Sequence, residues 1–182
     1  VPGLQPTVFS DGVALRIKAG STIVMQVHYS SLTGQSTEDS TSYHLKTSTV
    51  VPELIARTSP LAVLNLDIPA GEAESRFSDR FTNYYDHPLD IQSVAAHMHL
   101  LGKEETAVIH RQDGSEVCLM DIPEWDFGWQ QSYYPSEQIL LQPGESIEVT
   151  CAYDNSPENQ PVVNGELMEP RAVQWGDGTL DE

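Results

Sequence analysis

Hydrophobic and polar residues alternate along most of this chain with a period of two. The clearest runs are VALRIKA, TIVMQVHY, AVLNLDI, TAVIH, QILL and SIEVTCAY. Because successive side chains of a strand point to opposite faces, such runs predict half-buried β-strands. Turn signals rich in Gly, Pro, Asp and Ser separate them, at residues 10–12, 18–21, 68–72, 112–115, 142–146 and 153–159. No helical period persists, so the pattern predicts an all-β protein, an antiparallel, jelly-roll-like β-sandwich.

The alternation breaks once, in TVVPELIARTSP at residues 49–60, which carries two prolines. We interpret this stretch as a linker. Residues 1–48 are then the last strands of one β-sandwich, and residues 61–182 form a second, more complete one. The first part is too small to bury a core of its own, so it must pair with chain outside this sequence or pack on the second unit. We also expect both ends of the chain, VPGLQP and TLDE, to continue into a longer protein.

Composition narrows the functional classes. An apolar content of 39% fits a soluble globular protein, and no apolar run has the length of a membrane span. Nine basic against 27 acidic residues give a formal charge of -18, which repels phosphate backbones and anionic lipids. Nucleic acid is thus not an expected partner. Cys118 and Cys151 lie in strand-like runs and are compatible with either buried thiols or a disulfide bond.

The stretch AAHMHLLGK at residues 95–103 holds the first candidate site, His97 and His99. On a strand, residues two apart point the same way with Cα atoms about 6.5 to 7 Å apart, so both imidazoles can approach one metal ion. Neutral imidazole suits copper or zinc, and a third ligand must come from elsewhere. The alternative is an ordinary polar strand face. The alternation places Ala95, His97, His99 and Leu101 on one face, and Ala96, Met98 and Leu100 on the other.

Two further stretches carry candidates. In STIVMQVHYS, residues 21–30, Gln26 and His28 share a strand face, although a lone histidine on a strand is more often structural than a ligand. The aromatic stretch IPEWDFGWQQSYYP, residues 122–135, predicts core and sheet packing, with a substrate-lining role as the alternative. Motifs of serine hydrolases, zinc proteases and P-loop proteins are absent from the sequence.

Six segments in this order, MQVHYS, IPAG, HMHLLGK, WDFGWQQSYY, CAYDNS and QWGDGTLDE, resemble the copper type II, ascorbate-dependent monooxygenases. This is the family of peptidylglycine α-hydroxylating monooxygenase and dopamine β-monooxygenase, and the chain is most similar to its bacterial members. The resemblance implies two copper centres in successive β-sandwich domains. His97 and His99 match the oxygen-activating centre, and His28 the third histidine of the electron-transfer centre. Gln26 matches a glutamine considered for the electron route between them.

The resemblance also implies what lies outside this chain. The family's methionine ligand would follow Glu182, and the other two electron-transfer histidines would precede residue 1. Peptide-amidating members carry an arginine where this chain has Ala95, and a small apolar side chain cannot bind a peptide carboxylate. The expected protein is a secreted or periplasmic monooxygenase that hydroxylates a C–H bond of a small-molecule or peptide substrate, using O₂, two copper ions and a reductant such as ascorbate. This fragment alone is expected to be inactive. The alternatives are a non-enzymatic copper-binding or interaction module and an adhesion or carbohydrate-binding sandwich.

Overall fold

The computed structural model describes residues 5–27, 38–176 and 180–181. These residues form short β-strands and one 3₁₀ turn, at Pro157–Asn159. In chain order the strands are β1 (Val13–Leu15), β2 (Leu54–Ala56), β3 (Asp67–Ile68), β4 (Ser75–Thr82), β5 (Leu89–Asp90), β6 (Val94–Ala95), β7 (Gly102–His110), β8 (Glu116–Ile122), β9 (Ser132–Tyr133), β10 (Leu140–Leu141), β11 (Ser146–Tyr153), β12 (Val162–Val163), β13 (Glu166–Leu167) and β14 (Val173–Gln174).

The four longest strands form one antiparallel sheet in the order β4-β11-β7-β8. Strand β11 lies in the middle, pairing with β4 on one side and with β7 on the other. Its sequence SIEVTCAY alternates as predicted, and so does β7, in which Glu105, Ala107 and Ile109 are the buried positions. One face of this sheet therefore points into the protein.

The second layer consists of shorter pairs, β3 with β14, β5 with β10 and β6 with β9, all antiparallel. Ile68 and Val173 of the first pair pack on Val149 and Cys151 of β11 in the main hydrophobic core. A second, smaller cluster joins Ala96 to residues of β7 and β8. Two layers with a shared apolar interior make this part of the chain a β-sandwich, which confirms the predicted fold class.

The turn signals are also confirmed. Turns occur at residues 11–12, 19–20, 70–71, 112–113 and 143–144, inside five of the six predicted segments, and the sixth contains the 3₁₀ turn. Gly114 and Gly144 adopt φ of 84° and 82° in the turns before β8 and β11. Glycine suits these positions because other residues are strained at positive φ.

The N-terminal part differs from the prediction. The expected strand over TIVMQVHY is wrong for residues 22–27, which form no strand and are exposed, while residues 28–30 lie outside the described residues. A strand needs a partner for its main-chain hydrogen bonds, and the described residues provide none there. Strand β1 instead pairs in parallel with β2, which lies within the stretch interpreted as a linker. The predicted domain boundaries at 48 and 61 stay predictions.

Neither cysteine forms a disulfide; Cys118 is exposed and Cys151 is buried. Of the two alternatives that the sequence left open, a disulfide between them is therefore wrong. Cys118 pairs with Val108 and Cys151 with Glu105, on opposite sides of strand β7. Strands two apart in a sheet are separated by about 9 to 10 Å, beyond the roughly 7 Å between Cα atoms that a disulfide can span.

Candidate metal centre

His97 and His99 lie just beyond strand β6, which ends at Ala95 opposite Ser132. The predicted alternation continues through this segment: Ala96 and Met98 are buried, His97 is exposed and His99 half-buried. The two imidazole rings are neighbours, with centroids 5.1 Å apart and planes at 87°. The geometric part of the prediction, that both rings lie on one face, is thus confirmed.

Leu101 is the exception. The sequence places it on the histidine face, but it is buried in the main core with Met98. The chain turns at residues 100–101, where the Gly102 N–H bonds to the His99 carbonyl, so the alternation is interrupted before β7 begins. Met98 points into the core, as predicted, and is therefore not a ligand beside the two histidines.

The His97 ring is held by Gln130. Oε1 of Gln130 lies 2.6 Å from Nδ1 of His97, and the amide nitrogen of the same side chain donates to the Phe127 carbonyl at 2.8 Å. That second bond fixes the orientation of the amide, so its oxygen faces the imidazole. Because an amide oxygen only accepts, Nδ1 of His97 must carry the proton and Nε2 the lone pair.

The His99 ring is held in the same way by a main-chain carbonyl. Nδ1 of His99 lies 2.7 Å from the oxygen of Asp181, which again can only accept. The carbonyl of His99 in turn accepts from the Trp125 indole N–H at 3.0 Å, and the Phe127 ring stands edge-on at a centroid distance of 6.5 Å. Both histidines therefore share one tautomer, with the lone pair on Nε2.

Gly102 explains why HMHLLGK and WDFGW form one unit. A Cβ atom at this glycine would meet Cδ1 of Trp125 at 2.7 Å and Cβ of Met98 at 2.9 Å. The indole thus lies directly on the glycine, and the main-chain N–H of Trp125 donates to the Lys103 carbonyl at 2.9 Å. Trp125 packs on both hydrophobic clusters, as the aromatic stretch predicts. Trp129, Tyr133 and Tyr134 are exposed, so core packing is wrong for these three.

Asn155 connects the remaining motifs. It is fully buried, and its side-chain nitrogen donates to the carbonyls of Pro69 and Arg171 at 2.9 and 2.8 Å. Its main-chain carbonyl accepts a hydrogen bond from the N–H of Gly71. Asn155 thereby joins three segments by hydrogen bonds: IPAG, CAYDNS and the residues before QWGDG. The neighbouring Asp154 N–H bonds to the Leu101 carbonyl at 2.8 Å, which ties this junction to the histidine segment.

Glu105 lies on the inner face of β7, only 5% exposed. Burial raises the pKa of its carboxyl to about 7, an effect that a hydrogen bond from the His97 main-chain N–H partly offsets. Sequence reasoning missed Glu105, although the alternation in TAVIH could have indicated it. Ala107 and Ile109 point inward in that run, and residue 105, two positions earlier, falls on the same face. It also missed Gln130, which lies inside a matched motif but is unremarkable by residue type.

Gln26 and His28 are the other predicted site residues. Gln26 lies in the exposed segment before residue 28, and His28 lies outside the described residues. Within residues 5–27, 38–176 and 180–181, no three His, Cys, Asp or Glu side chains come together as a metal-binding group. The assignment of Gln26 and His28 to an electron-transfer centre stays a prediction.

The two histidines supply two suitable ligands for a copper ion. Two neighbouring imidazoles in one tautomer, each with an oxygen acceptor on Nδ1, are the ligand arrangement that copper and zinc sites use. Two donors leave the coordination incomplete, so a further ligand is needed.

Comparison with known proteins identifies the family of the chain. The C-terminal domain of the copper type II ascorbate-dependent monooxygenases matches residues 68–170, more than half of the chain. The matched range contains IPAG, the histidine pair, Glu105, Gln130 and Asn155. A search of curated proteins finds no match. In the part of the chain that the structure describes, no helix is long and apolar enough to cross a membrane. From the matched range and the motifs within it, we conclude that the chain belongs to the copper type II ascorbate-dependent monooxygenase family.

Proposed function

We propose that His97 and His99 hold the copper ion of the oxygen-activating centre in a C–H hydroxylating monooxygenase. The observation that carries this proposal is the shared tautomer: Gln130 and the Asp181 carbonyl accept from both Nδ1 atoms, so each imidazole would bind a metal ion through Nε2. When bound, copper supplies one-electron redox chemistry toward O₂. In the overall reaction one oxygen atom enters a C–H bond as a hydroxyl and the other leaves as water, with two electrons and two protons from a reductant such as ascorbate.

The residues of this chain orient and tune the centre. Gln130 and the Asp181 carbonyl accept from Nδ1 of the two rings and thereby fix the orientation of each ring. Trp125 fixes the main chain of His99 through its indole N–H. Ala95 is exposed beside His97 and offers no positive charge, so we propose a substrate that is not anchored there by a carboxylate. A peptide glycine terminus is therefore not the proposed substrate.

The proposal extends to the whole protein. A second copper centre, with His28 as one ligand and Gln26 on the electron route, would deliver electrons from the preceding domain. A secreted or periplasmic location suits an enzyme that uses an external reductant. These parts are inferred from the family pattern alone.

A non-enzymatic copper-binding module is the second candidate. It is favoured by one observation, that no group of three His, Cys, Asp or Glu side chains able to hold a metal ion occurs among the described residues. Such a module would bind copper reversibly without consuming O₂.

Copper titration of the full-length protein separates the candidates. We expect two copper ions per chain, one fewer in the H97A/H99A variant, and loss of ascorbate-dependent O₂ consumption in that variant. The matched control is His44→Ala, which changes an exposed histidine bonded to Ser42 and should leave both readouts unchanged. Copper binding without O₂ consumption would favour the module. Equal copper content in wild type and H97A/H99A would contradict both candidates.

A further inference from the structure

The hydrogen-bond acceptor of the His99 ring lies outside the strands. Asp181, whose carbonyl oxygen is 2.7 Å from Nδ1 of His99, comes after β14 and belongs to no strand. A carbonyl outside a strand ladder lacks the regular main-chain pairing that fixes its place. Its position must therefore be set by contacts of residues 180 and 181 with other parts of the chain.

The Arg171 side chain makes one such contact. Its Nη2 atom donates to the Leu180 carbonyl at 2.8 Å and lies 3.5 Å from Oδ1 of Asp181. One guanidinium nitrogen thus contacts both residues of this segment. A charged donor makes a stronger hydrogen bond to a carbonyl than a neutral one does.

The main chain of Arg171 is itself fixed to the interior of the sandwich. Its carbonyl accepts from the fully buried Asn155 at 2.8 Å. Two residues later Val173 begins β14 and is buried in the main core. The core therefore sets the point from which the guanidinium reaches residues 180 and 181.

Gly176 makes the second contact, directly against Asp181. A Cβ atom at this glycine would meet Oδ2, Cβ and Cγ of Asp181 at 2.7, 2.8 and 2.9 Å. Turning the carboxylate away would not relieve the overlap with the Cβ atom of Asp181, because that atom is fixed to the main chain. Glycine therefore allows an approach that any other residue at position 176 would prevent.

We propose that Arg171 and Gly176 are positioning residues of the metal centre, which hold the Asp181 main chain where its carbonyl accepts from Nδ1 of His99. The inference rests on the proposed function in one respect, that His99 is a ligand of the copper ion. Both residues act through Asp181, and on one ring only, because the acceptor of His97 is Gln130. Groups that orient a metal-binding imidazole in this way raise the affinity for the metal.

The first test compares Arg171→Met with Arg171→Lys in the full-length, metal-free protein labelled with ¹⁵N histidine. R171M removes the donor and should lower the fraction of His99 that is protonated on Nδ1, while that of His97 stays unchanged. R171K keeps a cationic donor and should restore most of the His99 signal. Because the Arg171 side chain is 53% exposed, R171M should change the melting temperature little.

The second test is Gly176→Ala, whose methyl group should displace Asp181 and produce the same selective change at His99. In both R171M and G176A, the Cu(I) affinity of the copper equivalent that H97A/H99A removes should fall by roughly 10- to 100-fold. Arg76→Met is the matched control, because Arg76 is a similarly exposed arginine paired with Glu74 and Glu104. It should leave both readouts unchanged.

An unchanged His99 tautomer in R171M or in G176A would overturn the inference for that residue. Equal changes at His97 and His99, or a change in R76M, would overturn it for both. Failure of the proposed function looks different: H97A/H99A would then bind as much copper as wild type, whatever the tautomers of R171M and G176A.

Discussion

Oε1 of Gln130 lies 2.6 Å from Nδ1 of His97, across a sequence separation of 33 residues. The glutamine is buried, with 1% of its surface exposed, while the histidine that it holds is exposed. The contact therefore links the interior of the sandwich to a ring at its surface. It decides which nitrogen of His97 carries the proton, and so which one can bind a metal.

Gln130→Leu should lower copper affinity at the histidine pair by roughly 10- to 100-fold, because His97 loses the acceptor that fixes its tautomer. Gln130→Glu keeps an oxygen acceptor and should retain most of the affinity. The measurement is competition for Cu(I), with histidine ¹⁵N shifts reporting the tautomer. The control is Gln138→Leu, which removes an exposed glutamine bonded to Asp90. An unchanged tautomer population in Q130L would contradict this prediction.

Gly102→Ala should destabilise the protein by about 1 to 3 kcal/mol, since the new methyl group overlaps the Trp125 indole and Cβ of Met98. Displacement of the indole should also weaken its bond to the His99 carbonyl. Urea unfolding measures the first effect, and copper affinity the second. Gly128→Ala is the control, because a Cβ there meets only a carboxylate oxygen of Asp126, at 3.2 Å. Equal unfolding midpoints for the two variants would show that a methyl group at residue 102 can be accommodated against Trp125.

Asn155→Leu should lower the free energy of unfolding by about 3 kcal/mol, because two buried main-chain carbonyls lose their donor. Asn159→Leu is the comparison, since that exposed side chain makes one bond, to the Asp154 carbonyl, and should cost less than about 1 kcal/mol. Chemical denaturation followed by tryptophan fluorescence gives both values. Similar losses of unfolding free energy in the two variants would show that the hydrogen bonds of Asn155 do not stabilise the fold more than that of Asn159.

Glu145 should make the protein sensitive to acid. Burial alone would raise the pKa of its carboxyl, but N–H groups of Gln142 and Gln112 and the Arg111 guanidinium outweigh it and hold the pKa below its usual 4.5. A lowered pKa in the folded state stabilises the protein above pH 4.5, and this stabilisation is lost as the pH falls through the folded-state value. Glu145→Gln should therefore flatten the decline in melting temperature below that pH. A decline as steep as in wild type would contradict the assignment.

The two thiols should react at different rates. Cys118 is exposed and should be modified by a disulfide reagent in the folded protein, whereas the buried Cys151 should react only in denaturant. A thiol titration of this 182-residue chain should count one group when folded and two when unfolded. Absence of both thiols before reduction would contradict the separation of the two cysteines by strand β7.

Much of the fold follows from short-range patterns. The alternation in SIEVTCAY and TAVIH predicts β11 and the second half of β7, because the side chains of a strand change face at every residue. The same pattern fails for residues 22–27, where the apolar alternation is present but the described residues form no strand. A local alternation predicts which residues of a strand would face the interior. Whether the strand forms depends on a partner strand for its main-chain hydrogen bonds.

By itself, the sequence determined the all-β class, the positions of the turns, the family and the common face of His97 and His99. These properties depend on residue type and on spacing over a few positions. Only the tertiary structure decided the tautomer of both imidazoles, the burial of Leu101, the separation of the two cysteines and the burial of Glu105. Each of these depends on which distant residue supplies the neighbouring atom, and chain folding, rather than local pattern, brings those atoms together.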